Sequence, residues 1–214
     1  MTITLTGFAN SPDRGQGQAR DMRLRWALEE VGQPYRMELF TFEELKQPAY
    51  LARQPFGQIP VFEDGTVKLF ETGAILLYIA RRWPGLLPAD DNGRERAAAW
   101  VLAALNSIEP PILELEQSWF VDRGHAWFEE RNMMIRGRIR TRLEQLSDWL
   151  GDAQWLEGPF SAGDLMMVTV LRRLDAQMLG EFPALAAYVA RGEARPAFRR
   201  AFADQRALFE ASKR

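Results

Sequence analysis

Two places in the 214-residue chain set side chains where they could act on a small polar molecule. The first is Glu71-Thr72, where an extended stretch gives way to a helical one. A helix start offers unpaired N–H groups and the positive end of the peptide dipoles, and both favour a carboxylate. Thr72 adds a hydroxyl donor and Glu71 supplies negative charge for an ammonium group. Together they suit the head group of an amino acid; read alone, an ordinary helix cap is the stronger reading. The second place is Ser161-Ala162-Gly163-Asp164. An acid inside an apolar stretch invites a catalytic role, but this spacing is that of a capping box, with Phe160 and Leu165 placed as a hydrophobic staple. The folding role is the expected one for Asp164.

The inventory of side chains excludes much other chemistry. There is no cysteine, so disulfides, zinc–thiolate sites, iron–sulfur clusters and enzyme-thiol mechanisms are ruled out. The absence also fits a reducing compartment. A single histidine, His125, gives no basis for a His-rich metal site or a Ser–His–Asp triad, and no metal is expected. With 27 basic and 29 acidic side chains the formal charge is −2, which leaves no electrostatic footprint for nucleic acid or an anionic membrane. Arg136, Arg138, Arg140 and Arg142 recur at spacing two, which on a helix spreads charge around the barrel as a solvated surface. Met133-Met134, Met166-Met167 and the seven tryptophans are assigned to the core. No secretory leader is expected, and no apolar run approaches the ~20 residues of a bilayer span. At 47% hydrophobic, the chain has ample material for packed cores.

Elements that would position these residues follow from periodicity. Residues 2–9 and Tyr35–Phe40 read as strands, joined by a helix from Ala19 to Val31 that Gly32 stops. Asn10 to Gly17 is a loop by composition. Pro60–Glu63 and Thr66–Phe70 flank Asp64-Gly65, a hairpin signal, and a helix runs from Thr72 to about Trp83. Pro, Gly and Asp crowd the stretch around residues 84–93, and beyond it only helical patterns occur. These are Arg94 to about Phe120, with a disturbance at Pro110-Pro111; His125 to Leu150; Ser161 to about Met178; Pro183 to Arg191; and Arg195 to about Ala211. The fold class is therefore α/β plus all-α, with residues 1–83 as a βαβ-ββα domain, 84–93 as a linker and 94–214 as an all-helical C-terminal domain.

Three stretches in this order resemble the cytosolic glutathione transferase superfamily: Gly57-Gln58-Ile59-Pro60-Val61, Glu71-Thr72-Gly73-Ala74-Ile75-Leu76-Leu77-Tyr78-Ile79, and Trp155 through Asp164. Ala27 to Tyr35 and Arg195-Pro196-Ala197 sit where the family has similar runs. The resemblance implies a thioredoxin-like N-terminal domain before a helical bundle, with glutathione as co-substrate. It implies a cis Ile59–Pro60 bond, although an X–Pro bond taken alone is trans far more often than not. Ile59's main chain would then pair with glutathione's cysteinyl unit as an added strand does. It implies that Glu71 and Thr72 hold the γ-glutamyl end.

The family's thiol-activating residue, a Tyr, Ser or Cys after the first strand, is the least defined. Cysteine is absent and no tyrosine precedes Tyr35. Counting forward from the strand reaches Ser11, and counting back from Ala27-Leu28-Glu29-Glu30 reaches Arg20, so the loop is longer than the family's usual one. Both are catalytic candidates, the first as a hydroxyl donor, the second as a fixed cation. The resemblance further implies a cytoplasmic homodimer of bacterial-like, serine-type or unassigned class, taking glutathione and a small electrophilic substrate. Two alternatives stay open: a glutathione-dependent disulfide reductase or peroxidase without an enzyme cysteine, and a non-catalytic binding or scaffold protein of the same fold.

Overall fold

The structure is a computed structural model that describes residues 2–213. The chain divides into two compact units, one made of the residues up to Leu87 together with those from Glu193 onward, the other of Pro88–Gly192.

The first unit contains β1 (Ile3–Phe8), α1 (Asp21–Glu30), β2 (Tyr35–Phe40), a 3₁₀ turn at Glu44–Lys46, α2 (Pro48–Leu51), β3 (Val61–Glu63), β4 (Lys68–Phe70) and α3 (Thr72–Arg82). The sheet order is β2-β1-β3-β4. β1 and β2 run parallel in register from Ile3↔Tyr35 to Phe8↔Phe40, while β3 is antiparallel to both β1 and β4. β1 is central and buried on both faces from Ile3 to Thr6, as a strand covered on each side must be. The crossover helix α1 ends as its sequence demands. Gly32 takes φ +65°, Gln33 N–H reaches the Leu28 carbonyl at 2.9 Å and Gly32 N–H the Glu29 carbonyl at 3.4 Å, the bonding pattern of a Schellman stop.

The hairpin and the last helix depart from the sequence pattern. The hairpin strands are three residues each, because the Asp64 carboxylate gathers Thr66 N–H, Val67 N–H and the Tyr78 hydroxyl and rounds the turn. The last helix, α10 (Pro196–Ala211), groups with the first unit rather than with the helical region that begins at Arg94. Phe198 meets Trp26 edge-on at 5.0 Å, Arg195 forks onto Glu30 at 2.6 and 2.8 Å, and Arg200 pairs with Glu29 at 2.6 Å. α1 thus supplies both the apolar and the acidic partners that this helix needs.

The second unit contains α4 (Asp91–Ala103), a π turn at Ala104–Ile108, α5 (Glu109–Val121), α6 (Phe128–Leu150), α7 (Ala162–Leu171), α8 (Ala176–Gly180) and most of α9 (Pro183–Glu193). The disturbance expected at Pro110-Pro111 falls just upstream, in the π turn. Each proline lacks an N–H and crowds the carbonyl four residues before it, so the ladder rearranges on that side. Every residue of α7 is buried, and α4 packs against it at Gly163, where a Cβ would lie 2.6 Å from that of Trp100. Met166 and Met167 are core residues as expected, but Met133 and Met134 are exposed, as are Trp119, Trp127 and Trp149. Position on α6 decides this: its buried stripe runs Ile135, Ile139, Leu143, Leu146, Leu150, and the methionine pair lies off it. Arg136, Arg138 and Arg140 bind Asp175, Glu114 and Glu181 on the helix's solvated surface.

Candidate functional site

Sheet register brings the candidate residues to one end of the first unit. Leu5 pairs with Phe62, and Val61 pairs with Phe70. Pro60 and Glu71 therefore flank the terminal β3–β4 pair on the same end at which β1 runs out into the loop holding Ser11. Local hydrogen bonds fix the segment before β3. Val61 N–H donates to the Thr6 hydroxyl at 2.7 Å, Thr6 lies 3.0 Å from the Tyr50 hydroxyl, and Tyr50 donates to the Gln58 carbonyl at 2.8 Å. This relay holds both ends of Gln58–Val61 from beneath the sheet. Within it the Ile59–Pro60 bond is cis. Ile59's own N–H and carbonyl take no partner among the described residues.

Glu71 sits one residue before α3 at φ +71°, ψ +117°, a conformation that L side chains rarely adopt. Its side chain is exposed and caps no helix N–H. The simple capping explanation is thus absent, and the backbone strain is held at an exposed acid. Thr72 is buried, and its Oγ1 accepts a long 3.5 Å bond from Arg23 Nη1. Arg23 itself is buried in α1. Sequence reasoning missed it; the available signal was a pair of arginines, Arg23 and Arg25, within the otherwise apolar Met22–Leu28 stretch.

The loop of residues 9–20 is organised by a residue the sequence pattern did not single out. One oxygen of Asp13 accepts from the Ser11 hydroxyl at 2.6 Å and Gly15 N–H at 3.0 Å; the other accepts from Gln18 N–H at 2.6 Å and Ala19 N–H at 2.9 Å. Burial alone would raise the Asp13 pKa, but the Ser11 hydroxyl and these amides outweigh it and hold the carboxyl below its usual value. Ser-Pro-Asp-Arg-Gly is an Asx-turn signature, so Asp13 was findable. Its consequence for Ser11 is direct: the hydroxyl is buried and its only proton is engaged with Asp13. Arg20 is half-buried at the residue before α1. Glycine at 15 is required twice over, by φ +73° and by Phe209 of α10, whose ring carbon would lie 3.2 Å from a Cβ there.

Asp164 lies apart from these residues, in the second unit. It completes the capping box of α7 and accepts from Leu156 N–H, Ser161 N–H and the Ser161 and Tyr188 hydroxyls at 2.9–3.0 Å. No solvent reaches it. His125 stacks on Trp127 at the surface.

A thioredoxin-like α/β unit with a cis-proline before its hairpin, accompanied by a helical unit, defines the class of protein. Residues 14–81 match the family described as glutathione S-transferase, N-terminal domain. Glutathione S-transferase 4 of Zea mays is 31% identical over 175 residues, covering 74% of this chain and 73% of its own. Glutathione S-transferase F10 of Arabidopsis thaliana is 43% identical over 135 residues, 61% of each chain. The chain spans 61% of that relative's length and 35% of the related F9 protein's. Among solved structures, a Burkholderia graminis glutathione transferase with two glutathione molecules bound per subunit superposes with a TM-score of 0.79 at 25% identity, covering 94% of this chain and 87% of its own. The F2 glutathione transferase of Populus trichocarpa gives 0.82 at 20% identity, covering 96% and 99%. The chain belongs to the glutathione S-transferase family.

Proposed function

We propose that the protein is a glutathione transferase that binds glutathione at Ile59, Pro60, Glu71 and Thr72 and activates its thiol for attack on a small electrophile. The observation that carries this reading is the strained, exposed Glu71 at the start of α3, on the same sheet end as the cis Ile59–Pro60 bond. Glu71 takes the ligand's ammonium, Thr72 and the helix start take its carboxylate, and Ile59's main chain takes the cysteinyl peptide. Calorimetric titration tests it. Glu71→Ala weakens glutathione binding by ~1.5–3 kcal/mol, the worth of a charge-assisted hydrogen bond. An unchanged affinity in a folded variant overturns the assignment.

Activation is the second part of the proposal. A thiol of pKa ~8.5 is only a few per cent ionised at neutral pH, and lowering it by two units takes ~2.7 kcal/mol of preference for the thiolate. Ser11 can donate to that sulfur only by releasing Asp13, whereas Arg20 supplies charge without giving up a partner. Thiolate absorbance against pH, in wild type and in Ser11→Ala and Arg20→Ala, separates them. A raised thiol pKa in Ser11→Ala makes the class serine-type; a rise only in Arg20→Ala makes activation electrostatic.

A non-catalytic binding protein of the same fold is the second reading, favoured by the engagement of Ser11 with Asp13. A bound thiol that titrates as in water supports it. A panel of electrophiles and disulfides distinguishes transfer from disulfide reduction. We further propose a cytoplasmic, two-fold homodimer, the commonest soluble assembly; a 24.5 kDa species alone in light scattering would refute the dimer. Among the described residues, no helix is long and apolar enough to cross a membrane.

A further inference from the structure

Where α10 packs on α1, the buried side-chain atoms Nε2 and Oε1 of Gln205 have no hydrogen-bond partner. Gln205 is 3% exposed and lines a cavity shared with Ser11, Asp21 and Arg25, walled by Phe8 and Phe209. About 10 Å³ of it is open to the centre of a water molecule, which is room for one. A primary amide buried with neither its donor nor its acceptor satisfied is costly, so each such group calls for a partner.

We propose that this cavity is a binding site for a single structural water, held by Gln205, Asp21, Arg25 and Ser11, which ties the last helix to the loop and to the start of α1. The lining offers both donors and acceptors, more than one water can use. Ser11 gives its proton to Asp13, so its oxygen remains an acceptor. Arg25 Nε occupies Asp21 Oδ2 at 2.7 Å, leaving the other carboxylate oxygen and, beside the contact with the Tyr35 hydroxyl, further terminal N–H groups of the guanidinium. Gln205 offers one acceptor and a pair of donor hydrogens. A water needs two to four polar neighbours, and this site supplies them from three separate segments. It also completes the hydrogen bonding that a buried ion pair such as Asp21–Arg25 requires. A direct bond from Gln205 to Asp21 would leave Ser11 and Arg25 outside the network, whereas one water bridges several groups at once. On the far side of Arg25 and Leu208 lies an open groove of about 620 Å³, so bulk solvent is one side chain away.

This inference does not depend on glutathione, and its test uses the ligand-free full chain. A crystal structure at water-resolving resolution is expected to show density within hydrogen-bond distance of Gln205 and Asp21. A contracted cavity with Gln205 bonded directly to protein overturns the proposal. The Gln205→Leu variant gives an independent sign. With a water present, leucine strips it of a partner and lowers the melting temperature by about 2–4 °C, the shift from one lost hydrogen-bonded group in a chain of this size. With a dry cavity, leucine relieves an unpaired amide and raises the melting temperature. In the same variant, hydrogen exchange at the Gln18 and Ala19 amides is expected to accelerate about tenfold or more, while that of β1 amides is unchanged. Unchanged loop exchange would mean that nothing ties the helix to the loop through this site.

Discussion

Asp13 and Asp164 are built alike and behave in opposite ways. Each accepts four hydrogen bonds, with a serine hydroxyl among the donors: Ser11 and three amides for one, Ser161, Tyr188 and two amides for the other. Yet the Asp13 carboxyl is held below its ordinary pKa, while that of Asp164 is pushed above it. Burial is the largest influence at both, and it opposes ionisation. At Asp13, half-buried in a loop, the Ser11 hydroxyl and the amides overcome it. At Asp164, which no solvent reaches, the bonds from Leu156, Tyr188 and Ser161 do not. Counting donors is therefore insufficient; access of water decides whether a well-bonded acid is an anion by preference.

The comparison can be broken most decisively at Asp164. Asp164→Ala removes the acceptor of four buried donors, of which only the Tyr188 hydroxyl keeps another, the main-chain carbonyl of residue 164 at 3.5 Å, and chemical denaturation is expected to show a loss of about 3–5 kcal/mol. A loss below ~1 kcal/mol would mean that the bonds seen are not those that hold α7 in place. Asp13→Ala should cost less, about 1.5–2 kcal/mol, because water can reach the amides that it abandons. That variant also frees the Ser11 proton, so glutathione's bound thiol should titrate lower if Ser11 faces it. Smaller again is Ser161→Ala, about 1 kcal/mol as a cap loss, with ligand affinity unchanged. Least in size but sharpest in sign is the pH dependence. Asp13, whose folded pKa is depressed, contributes stability above its unfolded value near 3.8 that is lost as pH falls through the folded value. Asp164, whose folded pKa is raised, contributes stability that is complete below 3.8 and is lost as pH rises through its folded value. Asp13→Asn should thus flatten the acid limb of the stability curve, and Asp164→Asn should flatten the limb just above it. The same limb flattened by both variants would contradict the opposite shifts.

These two acids also mark what the sequence could disclose. The capping box at Ser161–Asp164 was legible because its logic is local: four consecutive residues satisfy one another whatever surrounds them. Strands at β1 and β2, the Gly32 stop and the Glu71-Thr72 junction were legible for the same reason. Asp13 is harder to read than Ser11, since a hydroxyl at the expected count suggests chemistry and an acid in a loop suggests a turn. In the structure the Ser11 hydroxyl donates to the Asp13 carboxylate. Non-local partners were the harder case. Nothing within residues 195–211 says that Arg195 meets Glu30 and Arg200 meets Glu29, more than 160 positions earlier, so the local pattern joins the helix to the region before it. Nor does the periodicity of α1 reveal that Arg23 lies under Thr72.

Glu71 adds a consequence for anyone who would engineer this protein. Its backbone at φ +71° suits glycine better than any residue with a side chain. Glu71→Gly should therefore raise the melting temperature while removing the carboxylate proposed to receive the ligand. A library selected only for heat resistance would drift toward glycine at this position and lose affinity there. The substitutions enriched by heat and depleted by a glutathione column would then draw the outline of the binding site without any structure of the complex.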